Sequence, residues 1–324
     1  MNLGENVRSK LNYLSGLAIA LPLALLPKLA FAQGAADSAA APAPPSYTPY
    51  GPDMIKGQPT PGGVWFQAQH SPAGKDALWM HDTFLAPTII GISLLVLGLL
   101  IYVMLRYNKR ANPVPSKVSH NTTLEVLWTG IPILILVTIA VPSINLIVEQ
   151  YKSPPKKAVT VKATGSQWYW TYSYPDNGGF EVVSNMLPDG KAVAEGLPPQ
   201  LAVDHRMVVP AGVPIRLQTT GADVIHSFSV PSLWFKLDAI PGRINERLLE
   251  IDEPGIYYGQ CSELCGARHG YMPIAIEAVP MERFRQWILS QGGKINEQED
   301  VAPAAQAAAS EQAAAPAKPV NTEA

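Results

Sequence analysis

Gln260-Cys261-Ser262-Glu263-Leu264-Cys265-Gly266-Ala267-Arg268-His269-Gly270-Tyr271-Met272-Pro273 is the stretch on which the reading of this chain turns. It spaces two thiols, an imidazole and a thioether as Cys-x3-Cys-x3-His-x2-Met, all within twelve residues. Together these form a soft donor set that favours copper. A structural zinc site more often shows Cys-x2-Cys pairs and no thioether. Asp223-Val224-Ile225-His226-Ser227-Phe228 offers one more imidazole on a preceding strand. Two cysteines, two histidines and a methionine exceed the needs of a mononuclear blue-copper centre, which takes one cysteine, two histidines and a weak axial ligand. They suit two metals bridged by both thiolates, each adding one histidine and one weak ligand. Such a core shares one electron between its metals and leaves no position open for substrate. A local Cys261–Cys265 disulfide is the plainer alternative in an oxidising compartment. His269 and Met272 at these intervals count against it. Taken singly, His226 reads as a structural histidine and Met272 as core filling.

Around this stretch, from about 156 to 279, short runs rich in Val, Ile, Tyr and Trp alternate with Gly/Pro turns. Strands are expected near 158–164, 168–174, 206–209, 213–219, 224–230, 247–251, 255–260 and 272–278, with a closing helix over about 281–289. Many short strands with frequent turn signals indicate an all-β sandwich or barrel. This domain is placed at 151–292.

Upstream lie two apolar runs, about 84–107 and 127–148. Each offers ~20 mostly apolar residues, enough for a helix to cross a bilayer. Trp79 and Trp128 mark interfaces, and Arg106, Lys109, Arg110 and Lys117 make the short connecting loop basic with no acid in it. Basic loops stay on the cytoplasmic side. The hairpin, placed at 64–150, therefore puts everything after Val148 on the opposite side. Pro132 and Pro142 inside the second run imply packing against a partner, because neighbours must satisfy the freed carbonyls. At the N-terminus, Arg8 and Lys10, the apolar run 11–26 and Ala30-Phe31-Ala32 read as a cleaved signal peptide over 1–32. Residues 33–63 and 293–324, rich in Ala and Pro, read as a disordered linker and tail.

Over the whole chain of 324 residues, 47% are hydrophobic, 15% are charged and the net charge is −2. That charge content is low for a soluble domain. The absence of a basic surplus excludes a nucleic-acid footprint. No Cys-x-x-Cys-His occurs, so no covalently attached haem is expected.

The segment from Cys261 to Pro273, with Asp223 to Phe228, Gln167-Trp168-Tyr169-Trp170 and Asp238-Ala239-Ile240-Pro241-Gly242-Arg243, resembles the CuA-bearing subunit II of bacterial cytochrome c oxidase. The resemblance covers about residues 55–290. It implies an α+β membrane protein: a two-helix transmembrane hairpin followed by an all-β cupredoxin-like Greek-key domain. It implies a multi-pass protein of the bacterial inner membrane, with the copper domain in the periplasm. In that family both cysteines, here Cys261 and Cys265, bridge two coppers. His226 and Met272 complete one metal; His269 and the backbone carbonyl of Glu263 complete the other. The Glu263 side chain would reach a magnesium ion shared with subunit I, and haem resides only in that partner. Trp168, with Tyr169 beside it, matches the aromatic residue that receives electrons from cytochrome c. Glu181, Asp223 and Asp176 match acids expected around it for a lysine-rich donor. Glu125 matches a glutamate at the cytoplasmic mouth of a proton pathway, and Arg243 would face subunit I. Subunits I and III, cytochrome c and lipid are the implied partners, and the implied activity is oxygen reduction with proton pumping. Two departures stand out: Ser173 where many members carry a glutamate, and Ser166 where a histidine often stands.

The sequence leaves two rival readings. A quinol-oxidase subunit would share the architecture and lack the copper ligands. A membrane-anchored copper-binding or copper-delivery protein would lack Trp168, Glu125 and the Pro241-Gly242-Arg243 segment.

Overall fold

The computed structural model describes residues 46–296. The expected signal peptide, the first part of the expected linker (33–45) and nearly all of the expected tail lie outside the described residues.

The first element, β1 (Ile55–Gly57), follows a 3-10 turn at Pro52–Met54 and corrects the reading of 33–63 as linker throughout. Tyr47 Oη and the Tyr50 N–H both donate to Glu277, and Arg206 donates to Glu277 and to the Tyr50 carbonyl. Arg283 lies 4.4 Å over the Tyr50 ring. Glu277 is only 1% exposed, and three donors make its buried charge tolerable. Composition hid this strap. Its anchors are a few residues (Tyr47, Tyr50, Ile55) among many Ala, Pro and Gly, and their partners lie some 200 residues downstream.

α1 (Pro72–Met80) begins at Ser71, whose Oγ accepts from the Gly74 N–H and donates to the Leu233 carbonyl. Pro72 fits the first helical position because it lacks the N–H that would be unpaired there. A π-helical turn at His81–Leu85 leads into α2 (Ala86–Arg106), and α3 (Thr122–Gln150) returns. At 1.5 Å per residue, α2 alone spans about 31 Å, enough for the hydrocarbon core. Asn121 caps α3 by accepting from the Leu124 N–H. The most apolar windows of both helices are unburied within this chain.

The β domain has two sheets. Its strands are β2 (Val159–Ser166), β3 (Tyr169–Ser173), β4 (Glu181–Ser184), then, after the short helix α4 (Asp189–Ala194), β5 (Met207–Pro210) and β6 (Ile215–Gly221). β7 (His226–Val230), β8 (Phe235–Ala239), β9 (Asn245–Leu249), β10 (Gly255–Cys261) and β11 (Pro273–Val279) follow, and α5 (Met281–Ser290) closes the domain. One sheet runs β4-β3-β2-β6-β9, the other β5-β11-β10-β7-β8. β7 pairs with β10 only at Gln260 and Cys261; β1 covers the opposite end of the same edge at Ile256 and Tyr257. The core between the sheets holds Trp170, Tyr172, Phe228, Leu217, Tyr257 and Ile276, all wholly buried. β6 alternates buried and half-buried residues along its length, as one face on a core requires. β4 and β8 escaped the sequence reading because they are short and carry Glu181, Lys236 and Asp238.

Candidate metal centre

Three strand ends meet at one end of the sandwich. β10 stops at Cys261, β11 starts at Pro273, and the loop between them carries Cys265, His269 and Met272. β7 starts at His226, and its pairing of Phe228 with Cys261 sets the imidazole beside the first thiol. The Ser262 N–H donates to the Ser227 carbonyl, so the ladder runs one step past Cys261 before the loop turns away. A 3-10 turn at His269–Tyr271 then brings His269 and Met272 back to Cys265.

The two Sγ atoms lie 3.9 Å apart and both cysteines are free. A disulfide needs about 2.05 Å, so the local cross-link is not what this fold builds. Metal–thiolate bonds of about 2.3 Å let two sulfurs up to about 4.6 Å apart touch the same ion. His226 Nδ1 lies 3.9 Å from Cys261 Sγ, and the Glu263 carbonyl 3.4 Å from it. His269 Nδ1 and Met272 Sδ each lie 3.5 Å from Cys265 Sγ. The ligand atoms of His226, Cys261 and Cys265 fall within 4.8 Å of one another. Cys261, Cys265, His226 and Met272 are all buried, and His269 is half-buried.

The electrostatics suit a cation. Burial raises the Cys261 thiol, yet its contacts with His226 and with the Glu263 and Ser227 backbone outweigh burial and bring it down. Cys265 is pushed up, first by burial and then by the neighbouring Cys261 thiolate. The pair thus takes one negative charge readily and resists the second, which a bound metal ion would compensate. His226 Nε2 lies 2.9 Å from Asp223 Oδ1, leaving Nδ1 toward the sulfur. A carboxylate behind a ligating imidazole fixes its tautomer and orientation. Burial works against the charged His226, but Cys261 and Asp223 hold its value raised. Burial likewise opposes ionised Asp223, and hydrogen bonds from His226 and from the Val224 and Gln167 N–H groups hold it lowered.

Several supports lie outside the ligand loop. Gly165 backs directly onto His226: a Cβ there would sit 2.8 Å from the ring. The buried Trp170 indole donates to the Met272 carbonyl at 3.2 Å and meets the His226 ring edge-on at 6.1 Å. Gln167 Nε2 and Trp168 Nε1 both donate to the Cys265 carbonyl, at 2.9 and 3.2 Å, which straps the β2–β3 turn across the ligand loop.

Two family profiles match the chain: the periplasmic domain of cytochrome c oxidase subunit II over residues 159–279, and the transmembrane domain of the same subunit over 59–146. A probable cytochrome c oxidase subunit 2 of Rickettsia bellii is 47% identical over 238 residues, covering 72% of this chain and 86% of that protein. The cytochrome c oxidase subunit 2 of Cereibacter sphaeroides is 39% identical over 275 residues, covering 79% and 89%. The chain belongs to the cytochrome c oxidase subunit II family. Among solved structures, the periplasmic domain of subunit II of cytochrome oxidase (CoxB) of Bradyrhizobium japonicum is 51% identical, with a TM-score of 0.40, covering 43% of this chain and 96% of that one.

As a subunit II chain it is a membrane-anchored, copper-binding part of an oxidase complex, with a two-helix hairpin and a cupredoxin-like periplasmic domain. Trp168 is half-buried at the copper end, with Tyr169 next to it at the start of β3. Of the three acids expected around Trp168, only Asp223 adjoins it: it accepts from the Gln167 N–H at 2.8 Å. Glu181 pairs with Ser173, five residues along β3 from Trp168, roughly 17 Å away at strand spacing. Asp176 accepts from the Thr160 N–H at the far end of β2, roughly 20 Å from the turn. These two acids therefore do not border Trp168, because β3 carries the chain away from it. Asp223 itself is turned toward His226. Glu125 sits in the first turn of α3, accepts from the Asn121 N–H, and pairs with His120 at 2.6 Å. The Glu263 and Arg243 side chains are exposed.

Proposed function

We propose that this chain is the electron-accepting subunit of a bacterial cytochrome c oxidase, taking electrons from cytochrome c at a dinuclear CuA centre and serving a haem-bearing subunit I in which oxygen is reduced with proton pumping. The observation that carries this reading is the convergence of two free thiols with His226, His269, Met272 and the Glu263 carbonyl. Copper held there would supply one-electron redox chemistry. The chain's own residues would hold it: Cys261 and Cys265 would provide the thiolates, His226 and His269 the imidazoles, and burial of the cradle limits access of water. Trp168 offers a half-buried aromatic ring and a hydrogen bond to the Cys265 carbonyl, a short hydrogen-bonded path to the cradle. Glu263, exposed at the loop, would contribute its carboxylate to a magnesium ion shared with subunit I. Glu125 would open a proton path from the cytoplasmic side. Subunits I and III are the expected membrane partners, and the inner membrane the expected location.

Burial of the ligands weighs against a copper-delivery protein, whose donors must be accessible for exchange. The test is pre-steady-state reduction by cytochrome c of the purified oxidase complex. Trp168→Ala should slow electron uptake at least tenfold and leave the copper spectrum intact. Unchanged uptake would reject Trp168 as the point of acceptance.

A further inference from the structure

At the outer end of the hairpin, α3 packs chiefly against α1 rather than against α2. This leaves a cleft with an apolar floor of Trp79, Met80, Phe84, Val141 and Leu146, and a polar mouth of Asp76, Asn145 and Glu149. The cleft runs along the upper part of α3. Val141 lies nine residues before Gln150, so its floor reaches about 14 Å below the helix end. Both bounding helices carry membrane-grade apolar runs, and the periplasmic domain begins just above. The floor therefore lies at hydrocarbon depth and the mouth at headgroup depth. Trp79, 56% exposed, stands at that boundary, where amphipathic rings prefer to sit.

The charges at the mouth choose among lipids. Asp76 and Glu149 are both carboxylates and disfavour an anionic headgroup. Lys152, one turn beyond the mouth, holds Glu149 at 2.9 Å and is the cation placed to meet a phosphate, while Arg247 beyond it is stacked 4.5 Å over the Tyr151 ring. On the other side Lys75 is already taken by Asp252 at 2.8 Å. We propose that this cleft is a binding site for one phospholipid with a protonated amine headgroup: the ammonium meets Asp76 and Glu149, the phosphate meets Lys152, and one acyl chain lies on Phe84, Val141 and Leu146. The site is separate from the copper cradle and needs no metal.

The experiment uses the purified whole oxidase complex in nanodiscs, with a phosphatidylethanolamine carrying a photoreactive group on its acyl chain as the probe. Cross-linked peptides are mapped by mass spectrometry. Labelling is expected on the peptides containing Trp79–Phe84 and Val141–Leu146. Unlabelled phosphatidylethanolamine should compete about tenfold better than phosphatidylglycerol, a difference of about 1.4 kcal/mol. Asp76→Asn with Glu149→Gln should bring that preference close to one. Val141→Trp, which fills the floor and leaves the charges, should abolish labelling. Equal competition by both headgroups in the unmodified complex would mean bulk lipid only. Absence of labelling would mean that a protein partner covers the cleft. Either result overturns the proposal.

Discussion

His226 and Ile90 stand at opposite extremes of one chain: the first is wholly shielded, the second 53% exposed, though both belong to regular elements. Around His226 every support comes from the chain itself: Gly165 behind the ring, Asp223 on Nε2, Trp170 edge-on and Cys261 on Nδ1. Around Ile90 the chain supplies almost nothing, and α2 and α3 expose apolar side chains along most of their length. One region is specified by its own packing, the other by whatever surrounds it. A substitution in the β domain should therefore show its full effect in the isolated protein. One in the hairpin should show it only in membrane and complex.

Trp170→Ala tests this most harshly. It removes a fully buried indole, its hydrogen bond to Met272 and its contact with Phe228. Loss of about 3–5 kcal/mol is expected by chemical denaturation of the chain, together with weakened copper retention. Gly165→Ala comes next. The added methyl meets the His226 ring and forces it to move, at a cost of about 1–3 kcal/mol. Spectroscopy of the copper-loaded protein should show the ligand displaced. If it is unperturbed and stability is unchanged, Gly165 does not set the ring's place.

Asp223→Asn probes the pair by pH in the copper-free protein. The Asp223 value lies below its ordinary 3.8, so its contribution is present above about pH 3.8 and is lost as pH falls through the lowered value. The His226 value lies above its ordinary 6.5, so its contribution is full below about pH 6.5 and is lost as pH rises through the raised value. Both groups are charged in the window between. The variant should lose the acid-side decline and shift the alkaline-side decline downward, read from urea midpoints across pH. An unaltered profile would show that Asp223 is not the counter-charge of His226. Leu97→Ala gives the smallest effect. Leu97 is 53% exposed on α2, and truncation should change the stability of the isolated chain by less than about 0.5 kcal/mol. A large loss there would mean that the hairpin packs on itself.

How much could be read in advance follows from the same contrast. The spans were legible because apolar length is a local property; α2 and α3 lie within a few residues of the expected 84–107 and 127–148. The ligand loop was legible because Cys261, Cys265, His269 and Met272 are close in sequence, and their donor chemistry restricts the metal. What escaped depends on register. Pairing of β1 with β10, and of Glu277 with Tyr47, joins residues about 200 positions apart, and no composition window reports it. Glu181 is 13 residues from Trp168 in sequence, and strand direction separates them. Gly165 has no side chain to advertise its role. Asp223 reads in sequence as a charge, and only the turn geometry shows that charge committed to an imidazole.

On the proposed function, two thiolates in a buried cradle would hold two copper ions as one redox unit. Electron paramagnetic resonance of the oxidised, copper-loaded protein tests it most directly, combined with metal analysis on the same sample. One unpaired electron shared between two equivalent copper nuclei gives a seven-line hyperfine pattern, with two coppers per chain, and Cys265→Ser should abolish it. A four-line signal with one copper per chain would contradict the account.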